Sequence, residues 1–102
     1  MASVEREEQE QTFRLPADKT LKHVSKLAIQ EDRPIMMDYW STSLDGGCCI
    51  GVRENKEKLL VKSDEEYTSP ISKIFKVESE YIILTENSIY LVSSDIPSNR
   101  IS

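Results

Sequence analysis

The segment over residues 71–92 constrains the fold of this chain more than any other, because 12 of its 22 residues are apolar. Short polar groups at 78–80 and 86–87 divide it into pieces that are too short for typical helices. Short apolar pieces between turns favour strands that are joined by hairpins. We therefore predict a three-stranded antiparallel meander with strands at 71–77, 81–85 and 88–92. Apolar residues three apart just after Pro70 predict a β-bulge at the start of the first strand.

Upstream of that segment, apolar residues recur with the spacing of a helix. The residues at i, i+4, i+7 and i+11, which share one helix face, are Ala17, Leu21, Val24 and Ala28. Asp18 is suited to accept hydrogen bonds from the first turn as the N-cap, and Pro34 prevents the helix from continuing. The pattern predicts a single helix over residues 19–30.

The stretch between this helix and the meander contains short apolar runs and turn residues, which favour further strands. We predict a strand over 35–40, a tight hairpin turn at Asp45-Gly46, and strands over 48–53 and 59–62. A sheet of this size with one apolar face would curl over its own core. The predicted fold class is therefore α+β, with one N-terminal helix packed on a small, strongly curved, barrel-like antiparallel sheet of about five to six strands.

Charge divides the chain unevenly. Residues 1–12 hold four acids and one base, so they account for −3 of the net charge of −5. We expect 1–12 to be a disordered acidic tail, 13–97 to form a single α+β domain, and 98–102 to be a loose C-terminus. No apolar run is long enough to span a bilayer, and no signal-peptide pattern begins the sequence, so we expect no membrane association.

The residues that commonly carry catalysis or bind metals are few. His23 is the only histidine and stands on the predicted helix, where a solvent-exposed side chain is the usual outcome. Cys48 and Cys49 are adjacent, which does not provide the ligand spacing of a zinc site and is typical of reduced thiols in an intracellular protein. The acidic loop 64–66 lacks the glycine and alternating ligands of a calcium loop. We therefore expect no enzymatic activity, no catalytic residues, no cofactor and no metal.

The candidate binding residues are basic and aromatic. Lys19, Lys22 and Lys26 fall on one face of the predicted helix, where they could contact an anionic partner or could simply be solvated. Tyr39 and Trp40 are adjacent in a predicted strand, so we expect one ring in the core and the other on the surface. Tyr67 is a further candidate, although a tyrosine in a half-buried strand usually packs with a solvated hydroxyl.

Several segments of the sequence carry a resemblance to known proteins. They are Pro34-Ile-Met-Met-Asp-Tyr-Trp, Glu57-Lys-Leu-Leu-Val-Lys, Thr68-Ser-Pro-Ile and Thr85-Glu-Asn-Ser-Ile-Tyr. Together they resemble small uncharacterised proteins of giant DNA viruses, and the C-terminal half is similar to a β module of short phage and bacterial proteins. The resemblance implies a viral or phage origin, an intracellular setting (the host cytoplasm or the virion) and no enzymatic activity. It supplies no functional residues.

These observations lead to three hypotheses about function. The first is a small interaction module that contacts a protein partner or a second copy of itself. The alternative is a protein that sequesters a nucleotide or another small ligand, with aromatic rings as stacking platforms and lysines for phosphate. The third is nucleic-acid binding by a small β-barrel, which the acidic net charge makes less favourable.

Overall fold

The computed structural model describes residues 14–101 of the chain. In this range the backbone forms two helices and eight strands, listed here in chain order: α1 (Asp18–Glu31), β1 (Ile35–Met36), α2 (Trp40–Leu44), β2 (Cys49–Val52), β3 (Lys58–Ser63), β4 (Glu66–Tyr67), β5 (Ile71–Val77), β6 (Glu80–Thr85), β7 (Ile89–Ser93) and β8 (Ser98–Arg100). The predicted α+β class is confirmed.

The strands form two four-stranded sheets and do not close into a barrel, so the prediction of one barrel-like sheet is not what the chain adopts. Sheet A has the order β1-β7-β6-β5, and sheet B has the order β4-β3-β2-β8. Both sheets are mixed, because β1 runs parallel to β7 and β8 runs parallel to β2. The chain crosses between the sheets after β1, after β4 and after β7.

The physical reason for two sheets lies in β6 and β7, which are apolar on both faces. Alternate residues point in opposite directions along a strand, so a strand with no polar face needs cover on both sides. One face of sheet A packs on α1 and α2 through a cluster of Val24, Trp40, Ile82, Leu84, Ile89 and Leu91. The other face packs on sheet B, and that cluster includes Ile50, Leu60, Ile83 and Val92. Sheet A is therefore the middle layer of the molecule.

The predicted meander is confirmed as β5, β6 and β7, which pair antiparallel in that order. The predicted bulge is also present, since the register of β5 against β6 shifts between Ile71 and Lys73. The predicted helix is confirmed as α1, with one additional residue at each end.

The prediction of a strand over 35–40 is wrong beyond Met36. A turn follows β1, and Trp40 begins the short helix α2. The Asp45-Gly46 pair does not form the predicted hairpin turn, because it ends α2 instead. Gly46 has a φ of 77°, and the amides of Gly46 and Gly47 donate to the carbonyls of Ser43 and Thr42 in a Schellman arrangement. A glycine with positive φ serves a hairpin and a helix end equally well, so the sequence alone does not separate the two.

The predictions for the two ends of the chain have different outcomes. Residues 98–102 were expected to be loose, whereas Ser98–Arg100 is a strand because it hydrogen-bonds along β2. The amide of Ile101 also donates to the carbonyl of Val52 at 2.8 Å. The predicted acidic tail over 1–12 and the last residue, Ser102, lie outside the described residues. Between residues 14 and 101, no helix is both long enough and apolar enough to cross a bilayer.

A buried carboxylate from β6 anchors the start of α1. Glu80 is 2% exposed, and its Oε1 accepts hydrogen bonds from the Thr20 hydroxyl at 2.5 Å and from the Ala17 amide at 3.3 Å. Asp18 was predicted as the N-cap, but the cap position is Ala17, which has no capping side chain. Glu80 supplies the missing acceptor from another element, and the negative charge also suits the positive end of the helix dipole. Arg14 Nη2 lies 3.9 Å from Glu80 Oε2.

We predict that Thr20→Val lowers the free energy of unfolding by about 1–3 kcal/mol, because the substitution keeps the shape of the side chain and leaves the buried Glu80 carboxylate short of a donor. Urea denaturation of the full chain measures this change. The control is Ser25→Ala on the exposed side of α1, where the hydroxyl bonds only to the Leu21 carbonyl; its effect should stay within about 0.5 kcal/mol. Equal effects of the two variants would contradict this role of Glu80.

Candidate functional site

The outer edge of sheet A is the strand β5, which pairs with β6 on one side only. Along residues 14–101, no backbone hydrogen bond is made from its other side. Ile71 and Ile74 turn toward the core between the sheets, whereas the Phe75 ring is 38% exposed. A seven-residue strand with an unpaired edge offers a row of backbone donors and acceptors to another chain.

Two depressions border β5, one near each end of the strand. The first has a volume of about 340 Å³ and separates the start of β5 from the turn between β2 and β3; its lining residues are Lys56, Glu57, Lys58, Pro70, Ile71, Ser72, Lys73 and Ile74. The second has a volume of about 330 Å³ and lies between α1 and the end of β5; its lining residues are Lys19, His23, Phe75, Lys76, Val77 and Glu78. We call β5 and these two depressions the β5 edge surface.

The β5 edge surface is strongly basic, since five lysines and two glutamates line it. Both glutamates lie close to cations: Glu78 Oε2 is 3.9 Å from Lys19 Nζ, and Glu57 Oε1 is 3.8 Å from Arg53 Nη1. The other four lysines form no ion pair among the described residues, and they are Lys56, Lys58, Lys73 and Lys76. The surface therefore presents a positive field to an approaching chain.

The predicted lysine face is present on α1. Lys19, Lys22 and Lys26 line one shallow depression of about 390 Å³ together with Asp18 and His23. Only Lys19 and His23 also border β5, so the other two lysines extend the positive surface along the helix and away from the strand. His23 is exposed, as expected for a histidine on the solvated side of a helix.

The prediction that Tyr39 and Trp40 face opposite sides of a strand is wrong, because both residues lie at the start of α2 and both rings are buried. Tyr39 is 3% exposed and packs edge-on against Tyr90, with ring centroids 5.3 Å apart. Trp40 is 4% exposed, and its indole N–H donates to the Arg14 carbonyl at 2.7 Å. Neither ring is accessible for stacking on a ligand. Among the predicted aromatic candidates, Tyr67 alone is exposed, and it lies on sheet B, away from β5.

The local pattern of residues 71–77 predicts a strand of the meander but does not by itself identify β5 as a binding site. A signal was present in the polar residues that separate its apolar ones, which are the pair Ser72-Lys73 and the single Lys76. Lysines on a strand are typical of an exposed edge. Whether β5 lies at the edge of the sheet, however, depends on which distant strands pair with one another, and local sequence patterns do not determine that pairing.

The cysteines lie beside the aromatic pair. Cys48 is buried and Cys49 half-buried, and neither is in a disulfide. Burial raises the pKa of the Cys48 thiol to about 11, although the nearby Lys62 ammonium acts in the opposite direction. Burial likewise raises the pKa of Tyr39 to about 12. At pH 7 both groups are neutral, which suits packing and not nucleophilic attack. Within residues 14–101, no cluster of His, Cys, Asp or Glu could hold a metal ion.

Comparisons of the chain with protein-family models, with curated proteins and with solved structures find no match.

The raised pKa of Cys48 predicts a loss of stability in alkali. The folded state holds the thiol neutral, so its contribution to the free energy of unfolding is complete below pH 9, the ordinary pKa of the thiol, and is lost as the pH rises to about 11. The loss from this group should reach about 2 kcal/mol by pH 11. Urea denaturation between pH 8 and 11 under reducing conditions measures it. In Cys48→Ala the decline over this range should be shallower, and an unchanged decline would contradict the assignment.

Proposed function

We propose that this protein is a small, non-enzymatic interaction module that binds an extended acidic segment of a protein partner along β5. The observation that carries the proposal is the unpaired edge of β5 with lysines on both sides of it. A viral origin and an intracellular setting remain predictions; the first rests on the resemblance to giant-virus and phage proteins, and the second on that resemblance and on the two cysteines.

Strand addition explains why the features of the β5 edge surface occur together. The backbone of an added strand would hydrogen-bond to β5 independently of sequence, and side chains along that strand would reach the depressions near the two ends of β5. Apolar side chains could contact Ile74 or the exposed Phe75 ring. Carboxylates in the same segment could contact the lysines, which selects acidic partners over basic ones.

The same lysines oppose a direct pairing of two β5 strands from two copies of the chain. In such a dimer Lys73 and Lys76 would approach lysines of the other copy, and facing like charges destabilise a strand pair. Self-association by this surface therefore requires an acidic segment of one copy on β5 of the other. The run of acidic residues between Glu5 and Glu10 has the required composition.

The test uses the full chain and a synthetic peptide as long as β5 in which glutamate alternates with valine. We expect the peptide to bind, to protect β5 amides from hydrogen exchange, and to bind more weakly as salt is added. Lys73→Glu and Lys76→Glu should each weaken binding about twofold to fivefold, because each reverses one exposed charge. Isothermal titration calorimetry and amide NMR spectra measure the two effects.

Three controls separate strand addition from general electrostatic attraction. A peptide in which lysine replaces glutamate should not bind, and the acidic peptide with alternate backbone nitrogens methylated should lose its affinity because it cannot donate to the strand edge. A single-stranded oligonucleotide should not protect β5 amides. Protection by the oligonucleotide and not by the acidic peptide would overturn the proposal in favour of nucleic-acid binding, and absence of protection by either would overturn it outright.

For self-association, the variant in which Glu5, Glu7, Glu8 and Glu10 are all replaced by glutamine provides the test. If the acidic run of one copy occupies β5 of another, sedimentation velocity should show an oligomer for the parent chain and a monomer for this variant. A monomeric parent chain that still binds the peptide restricts the function to other proteins.

A further inference from the structure

The outer face of sheet B is a second surface, separate from β5. Both helices pack on sheet A, and the inner face of sheet B covers the other side of that sheet. On the outer face lies a groove of about 460 Å³, which falls in the size range of small-molecule sites. Its lining residues are Arg53, Leu59, Val61, Ser63, Asp64, Tyr67, Arg100 and Ile101. It shares none of them with the two depressions along β5.

The floor of the groove is apolar and tightly built. Val61 of β3 pairs with Tyr67 of β4, and Leu59 of β3 pairs with Gly51 of β2. The absence of a side chain at Gly51 lets Ile101 close over β2: a Cβ there would lie 2.6 Å from Ile101 Cδ1 and 2.9 Å from Val61 Cγ2. Arg100 at the end of β8 and Ile101 just after it thus supply part of the site, although the sequence does not predict this strand.

The rim of the groove combines an aromatic ring with cations. Tyr67 is 53% exposed although its neighbours on the floor are apolar, so its ring offers a stacking surface. Arg53 and Arg100 line the same groove, and Asp64 is the one acidic residue among its lining residues. Among the described residues Arg53 lies near Glu57, whereas Arg100 has no carboxylate within ion-pair distance.

We propose that this groove binds a nucleoside phosphate, with the base against Tyr67 and the phosphate at the arginines. Guanidinium groups bind phosphate oxygens strongly, and tyrosine rings stack on bases of any sequence. The hydroxyl of Ser63 and the carboxylate of Asp64 provide polar partners for hydroxyl and amino groups of the ligand. No lining residue is shared with the β5 edge surface, so the two proposals are tested separately.

Calorimetric titration of the full chain with AMP, GMP, CMP and UMP tests the proposal, with adenosine and inorganic phosphate as partial ligands. We expect at least one nucleotide to bind more tightly than either partial ligand. Tyr67→Leu should weaken binding at least about fivefold, and Tyr67→Phe should leave it within about twofold of the parent. Arg100→Gln should weaken nucleotide binding about tenfold and leave adenosine binding unchanged.

Lys26→Gln is the matched control, since it removes one positive charge from an exposed helix position outside the groove; its nucleotide affinity should equal that of the parent. Circular dichroism of each variant verifies folding. Either of two results shows that the groove is not a nucleotide site: no binding of any nucleotide at millimolar concentration, or binding that Tyr67→Leu and Tyr67→Phe affect equally. If a single-stranded oligonucleotide binds more tightly than any mononucleotide, the groove binds the ends of nucleic-acid strands. That result would overturn the proposal of a free mononucleotide as the ligand. Binding of the acidic peptide at β5 is unaffected by any of these outcomes.

Discussion

The hydrogen bonds to the buried Glu80 carboxylate join the start of α1 to sheet A. Glu80 is the first residue of β6, the central strand of the predicted meander. Its carboxylate accepts hydrogen bonds from the start of α1, although Thr20 lies 60 residues earlier in the sequence. A buried carboxylate is costly unless it is hydrogen-bonded, so this contact has little tolerance for other placements of the helix. It fixes where α1 begins on sheet A, and therefore which helix face remains outside. Lys19 of α1 reaches the β5 edge surface because of that placement.

The apolar character of both faces of β6 and β7 determines the layer order in the same way. Once one face is covered by α1, the other requires a second layer, and the chain supplies sheet B by crossing between the sheets three times. Between residues 14 and 101, no further helix or strand covers the outer face of sheet B or pairs with the edge of β5. Both proposed binding surfaces are therefore surfaces that the described helices and strands leave uncovered.

Local patterns predicted α1 and the meander because their spacing depends on neighbours in sequence. They failed where the outcome depends on distant partners: the parallel strand β8 exists only because Ile50 and Val52 lie beside it, and α2 replaces a strand because Trp40 reaches the helix-side core of sheet A. For the site residues the division is the same. Lys19, Lys22 and Lys26 follow from helical spacing, whereas the burial of Tyr39 and the exposure of Tyr67 depend on which sheet face is covered.

The two surfaces also differ in how they discriminate between ligands, and this difference follows from their construction. The β5 edge surface offers backbone groups and mobile lysine side chains, which accept many acidic sequences with modest selectivity. The groove on sheet B offers an aromatic ring, planar guanidinium groups and a floor in which Ile101 packs closely over Gly51. Planar, directional groups lose less entropy on binding than lysines do. If the two proposals hold, a ligand of the groove is therefore selected by shape, and a partner of β5 mainly by charge.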